Sequence, residues 1–255
     1  MRKTGFLPLL NLLTFVLMVV LNGLANALPI NGQATGEISD RFAVYFVPAG
    51  YVFSIWGLIY LGLLAFAIYQ LLPAQRNNAR LGRIGYWFAI SSLANSAWIL
   101  LWHYEFFPLT LAVMLVLLVS LIAIYLRLNI GRAPVPSVGK WFVDVPFSIY
   151  LGWITVATVA NATALLEYWK WSGWGIGPAA WAVIMLVIAA ALGAAMSFAR
   201  GDVAYVLVLM WAFVGIAVKH WATPPVAWTA LLMVLLLVLT LVVGLPRVRR
   251  RRVAV

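Results

Sequence analysis

Cysteine is absent from the 255 residues, and only two histidines and six acidic side chains are present. The first absence excludes disulfides, thiolate nucleophiles and cysteine metal sites. The second leaves too few groups for most acid–base or metal-assisted chemistry, so no catalytic and no metal-ligating residue is assigned. Charge is scarce as well: 9% of residues are charged and 65% are apolar, where a soluble domain carries about a quarter charged. So little polar surface does not suffice to face water, and the composition is that of a membrane protein.

Crossing the hydrocarbon core takes roughly 20 mainly apolar residues. Eight such stretches are present, at 6–28, 48–72, 85–103, 107–126, 142–166, 176–198, 203–219 and 226–245. They predict an all-α polytopic membrane helix bundle of about eight transmembrane helices. The longest segment between spans, 29–47, is too short to bury a core of its own. Gly131-Arg132-Ala133-Pro134-Val135-Pro136 and Ala222-Thr223-Pro224-Pro225 interrupt the apolar runs where helices should stop.

The 17 basic residues are distributed unevenly. Arg2, Lys3, Arg76, Arg80, Arg83, Arg127, Arg132, Lys140, Arg200, Arg247 and Arg249 to Arg252 fall in alternate segments, while Arg41, Lys170 and Lys219 fall in the others. Because basic residues of short loops are retained in the cytoplasm, this places both termini there and favours an even number of spans. The arginine-rich tail directly follows a span and suits anionic headgroups better than nucleic acid, so no nucleic-acid partner is expected. Arg2-Lys3, an apolar run and Ala25-Asn26-Ala27 together imitate a signal peptide. The run is longer than the usual signal core, and the first helix is expected to be retained.

The span interiors hold almost no ionisable groups, which argues against a pump or an ion-coupled transporter. His103 and Lys219 sit at span ends. Asp144, two residues into the fifth span, can pair with Lys140 one turn earlier or bind a cation. No lysine lies in mid-span to hold retinal.

Aromatic residues are abundant, with 13 Trp, 13 Phe and 10 Tyr. Trp141, Trp169, Trp171, Trp174, Trp221 and Trp228 lie at span ends, as expected of an interfacial belt. Trp56, Trp98 and Trp153 lie inside spans beside polar neighbours. Phe53, Trp56 and Tyr60 share one helical face by spacing, Asn95 and Trp98 another, and Trp153, Ala157 and Asn161 a third. Trp56, Asn95, Trp98 and Asn161 lie at similar depths, about 8–13 Å below the outer end. Aromatic walls with a few amides suit a flat, mostly apolar ligand. The same residues also suit interhelical hydrogen bonding and packing.

Three segments resemble the translocator or tryptophan-rich sensory protein (TspO) family. Val47-Pro48-Ala49-Gly50-Tyr51-Val52-Phe53-Ser54-Ile55-Trp56-Gly57-Leu58-Ile59-Tyr60 is similar to the start of its second helix, Ala94-Asn95-Ser96-Ala97-Trp98 to its third, and Tyr150-Leu151-Gly152-Trp153 with Asn161 to its fifth. The chain departs from the pattern at Ala49 for a proline, at the Phe53 to Trp56 spacing, at Ile99-Leu100 for Ser-Pro and at Ala162 for a tyrosine. Leu165-Leu166-Glu167-Tyr168-Trp169-Lys170 fits a loose sterol-recognition pattern.

The likeness covers about residues 6–170. It implies a five-helix core in 1–170, with three additional helices and a basic tail in 171–255. It further implies a ligand site of Phe53, Trp56, Tyr60, Asn95, Trp98, Tyr150, Trp153, Ala157 and Asn161, with loop 29–47 as a lid. The implied ligand is a planar apolar molecule such as haem, another porphyrin or a sterol-like lipid, and the implied role is binding or sensing. Transport of an apolar or amphipathic solute is the alternative. Beyond the lipid bilayer and this ligand, the family's habit of forming a homodimer leaves oligomeric state open. The expected location is the bacterial inner (cytoplasmic) membrane. Ala189, Gly193 and Ser197 repeat small residues every four positions, which permits close packing either on the chain's own helices or on a second copy.

Overall fold

The computed structural model describes residues 6–28 and 30–253, the last seven by backbone alone. Arg2 and Lys3, and the side chains of the arginine-rich tail, lie outside the described residues. Within them the chain is all-helical. Its eight long helices are α1 (Phe6–Ala27), α2 (Ile55–Leu71), α3 (Trp87–His103), α4 (Phe107–Arg127), α5 (Val145–Tyr168), α6 (Pro178–Arg200), α7 (Val203–Lys219) and α8 (Pro224–Val253). They follow the eight apolar stretches one for one. Six helical segments are long and apolar enough to cross a membrane. The remaining two, α3 and α7, have 17 residues each, about 26 Å at 1.5 Å per residue.

The punctuation is local chemistry. Proline opens α6 and α8 and is the second residue of α4, where its missing N–H costs no intrahelical bond. Helix α6 ends at Gly201, whose φ of 63° is left-handed, and Asp202 at once caps α7 by accepting from the Tyr205 N–H at 3.1 Å. Two residues thus reverse the chain.

Packing divides the chain into two compact units, 1–41 with 55–154 and 42–54 with 155–255. In the first, Phe66, Phe88 and Phe147 from α2, α3 and α5 meet edge to face with centroids 4.9–5.8 Å apart, a favoured aromatic geometry. All three are fully buried. Helix α2 also approaches the start of α5 closely, because a Cβ at Gly62 would lie 3.2 Å from Pro146 Cβ.

The partner of Asp144 is not Lys140. Arg80 donates from Nη2 to Asp144 Oδ1 at 2.5 Å and also to the Leu128 carbonyl at 3.1 Å. Residues Lys140–Asp144 form a π-turn, with the Val145 N–H bonded to the Lys140 carbonyl. Lys140 is exposed whereas Asp144 is buried, and the buried carboxylate is met by the guanidinium that reaches it.

In the second unit α6 packs on α7 and α8. A Cβ at Gly193 would meet Leu237 and Leu209 side chains at 2.7 and 2.8 Å, and Ser197 Oγ donates to the Thr240 carbonyl at 2.8 Å. The small-residue stripe therefore serves contact within the chain. Helix α7 in turn receives the 48–54 segment: the Ala49 N–H donates to the Gly215 carbonyl at 3.1 Å, and Trp211 Nε1 donates to the Val52 carbonyl at 3.1 Å.

Candidate functional site

Five of the residues singled out by sequence meet in the first unit. The Trp56 ring stacks on Tyr60, one turn on in α2, at 5.5 Å between centroids and 24° between planes. Its other contacts are edge-on, with Tyr150 at 6.1 Å and Trp153 at 6.2 Å, both from α5. Beside them a polar chain crosses the bundle. Asn22 of α1 donates from Nδ2 to Asn95 Oδ1 at 2.7 Å, Asn95 donates to Tyr150 Oη at 3.1 Å, and the Tyr150 hydroxyl donates to Met18 Sδ at 3.9 Å. Asn95 and Tyr150 are buried, whereas Trp56 and Tyr60 are half-buried.

The geometry therefore gives the two residue types different work. The Asn95 amide is engaged with Asn22 and Tyr150, so it holds three helices and orients the Tyr150 ring. The half-buried Trp56 and Tyr60 rings are what the cluster presents for stacking. Asn22 and Met18, in a first helix that carries none of the recognised motifs, were not identified from sequence. The available signal was the amides of an otherwise apolar helix, of which Asn11 and Asn22 are buried.

Of the other expected site residues, Trp98 belongs to the same unit, while Phe53, Ala157 and Asn161 belong to the second. Trp98 stacks on Trp102 at 5.4 Å and 18°. Phe53 lies in the 3₁₀ turn Gly50–Ser54 before α2, and with three residues per turn there the α-helical spacing does not carry back to it. Asn161 is buried.

The segment after α1 is fastened to the end of α3. His103 is fully buried, with Nδ1 at 3.0 Å from the Ile30 carbonyl and Nε2 at 2.9 Å from Thr35 Oγ1. Facing a carbonyl, Nδ1 carries the proton, and in the neutral ring Nε2 accepts from the threonine. Asn31 donates to the His103 carbonyl at 3.0 Å and Trp102 Nε1 to the Thr35 carbonyl at 3.2 Å. Gln33 and Arg41 both donate to Glu105 Oε1, at 3.1 and 2.9 Å. These two donors, Gln33 foremost, hold the Glu105 carboxyl below its ordinary range. His103, read from sequence only as a residue at a span end, is the post to which this segment is tied.

A family model described as TSPO-like protein matches residues 8–243. The chain belongs to the TSPO-like family. The match runs through α6, α7 and most of α8, beyond the point near residue 170 where the motif likeness stops. With its apolar helices, this makes the chain an integral membrane protein of the TspO type. No curated protein and no solved structure matches it.

The second unit contains a cavity of about 320 Å³, walled by residues 43–46, one face of α5 beyond residue 157, the 171–178 turn and the start of α6. Of its two tryptophans, Trp171 and Trp181, sequence reasoning placed Trp171 in the interfacial belt and assigned Trp181 no role. The i, i+4 run Thr158, Ala162 and Leu166 on α5 was the pattern that marked this face.

Proposed function

We propose that this TSPO-like protein is a membrane binding or sensory protein for a planar, mostly apolar small molecule. The single observation that supports the reading is the Trp56 cluster. A half-buried indole, stacked on Tyr60 and buttressed edge-on by Tyr150 and Trp153, offers a rigid aromatic wall. The Asn22–Asn95–Tyr150 chain holds that wall in place before a ligand arrives, and preorganisation lowers the entropy cost of binding. Tetrapyrroles such as haem or protoporphyrin are the ligand class that this wall and the family resemblance jointly favour. In this reading the site faces the outer half of the bacterial inner membrane, and both termini are cytoplasmic.

The test is quenching of intrinsic tryptophan fluorescence by protoporphyrin IX on the purified full chain in detergent, beside Trp56→Leu and Asn95→Ala variants of unchanged helix content. Saturable quenching weakened about tenfold or more in Trp56→Leu, a loss of about 1.4 kcal/mol, supports the site. Equal, non-saturating quenching in all three proteins means partition into the micelle and refutes it.

A further inference from the structure

We infer that the cavity of the second unit is a separate binding site for a small amphipathic organic cation, an aryl or alkyl body carrying an amine or quaternary ammonium. The walls supply the argument. Trp171, Trp181, Tyr45 and Phe46 line it together with a single carboxylate, Glu167, and no Lys, Arg or His is among its lining residues. The Thr163 hydroxyl, also in the wall, donates its proton to the Ala160 carbonyl at 2.9 Å and so offers only lone pairs inward. Acceptors, aromatic faces and one negative charge, with no matching cation in the lining, attract a positive group and repel a carboxylate-bearing one.

The aromatic part is built in advance. Trp181 donates from Nε1 to the Gly173 carbonyl at 2.9 Å, and its ring lies 5.4 Å from that of Trp171. Gly173 has a φ of 66°, and a Cβ there would lie 3.3 Å from Trp181 Nε1, so the turn is shaped around this indole. Tyr45 is set against the His220 ring at 5.2 Å.

Glu167 is engaged at 3.0 Å by Lys170, whose side chain is 80% exposed while that of Glu167 is 35% exposed. Pairs as open as this are weak, so the carboxylate can exchange Lys170 for a ligand that also buries an apolar body. At about 320 Å³ the cavity stands near the lower end of the roughly 300–1,000 Å³ range of small-molecule sites. That size favours a one- or two-ring molecule over a tetrapyrrole. Its residues do not overlap the Trp56 cluster.

The experiment uses the purified full chain in a non-ionic, headgroup-neutral detergent, titrated with benzyltrimethylammonium and with neopentylbenzene, its neutral carbon isostere, by equilibrium dialysis. The expected result is saturable binding of the cation, at least tenfold tighter than the isostere. Glu167→Gln should remove most of that preference, Lys170→Met should strengthen cation binding severalfold, and Trp56→Leu should leave it unchanged. Both Glu167 and Lys170 are open enough to be replaced without unfolding the chain. Added short-chain phosphocholine lipid that displaces the probe identifies a lipid headgroup as the natural source of the cation, and failure to displace identifies a free solute. Equal binding of cation and isostere, absence of saturable cation binding, or a Glu167→Gln variant that behaves as the parent overturns the site. Loss of protoporphyrin binding in the Trp56 test leaves this result unaffected, so the two readings fail separately.

Discussion

Asn95 shows how one side chain in an apolar bundle acquires a structural duty. Its carbonyl accepts from Asn22 and its amide donates to Tyr150, so Asn95→Leu leaves polar atoms of both partners unpaired. Interhelical hydrogen bonds in membranes are individually worth about 0.6–1.7 kcal/mol, and stranded buried groups add to the loss. The expected destabilisation is roughly 1–3 kcal/mol, read from unfolding in mixed micelles. Asn95→Leu and Tyr150→Phe should combine to less than the sum of their separate effects, because both interrupt the same chain. Full additivity refutes the coupling. Glu105 makes a second case. Its carboxyl is held below the ordinary range by Gln33 and Arg41, so its bonds contribute stability above the unfolded-state value and lose it as pH falls through the lowered one. Backbone hydrogen exchange across 30–41, corrected for intrinsic rates, should accelerate only in the acid range. In Glu105→Gln that acid step should vanish; an unchanged step assigns it elsewhere.

At the scale of elements, the close approaches sit at glycines. A Cβ at Gly215 would overlap the Val52 side chain and lie 3.0 Å from Pro48 Cβ, where the 48–52 segment is bonded to α7. Gly215→Val should therefore destabilise the protein by about 1–3 kcal/mol, the usual cost of overpacking. Gly193→Ala meets only the methyl ends of Leu237 and Leu209, which can rotate away, and should cost less. Thermal denaturation of the two variants in one detergent checks the order, and a Gly193→Ala loss exceeding that of Gly215→Val contradicts it. The helices themselves were legible in the sequence. The 203–219 stretch is the full extent of α7, since Gly201-Asp202 stops one helix and caps the next. The start of α5 was not, because the π-turn over Lys140–Asp144 keeps the apolar pattern of an α-helix.

For the whole molecule the absence of cysteine becomes an experimental advantage, since every introduced thiol is unique. The basic-residue asymmetry predicts that cysteines replacing Arg76, Arg132 and Arg249 react with an impermeant maleimide from one side of sealed vesicles, and that those replacing Tyr104 and Trp174 react from the other. Tyr104, just after α3, and Trp174, in the turn between α5 and α6, are both exposed. Labelling of Arg76 and Arg132 variants from opposite sides would break the eight-span topology.

Fold class, most helix boundaries and family membership were within reach of the sequence, because apolar run length, proline, glycine and capping residues act over a few neighbours and leave a local trace. The family match to residue 243 extends what the motifs carried to about residue 170. Part of the candidate site was legible too: α-helical spacing in 3.6-residue turns puts Trp56 beside Tyr60 on α2. Only the tertiary structure decided which partners the polar groups took. Asn95 turned to Asn22, Asp144 to Arg80 and His103 to Ile30 and Thr35, all pairings 64 to 73 residues apart in the chain. The same holds for the Glu167 cavity, whose walls come from four separate stretches. A hydrogen bond or a cavity wall depends on which helices lie side by side, and side-by-side placement is settled by the packing of all of them together rather than by the residues adjacent in the chain.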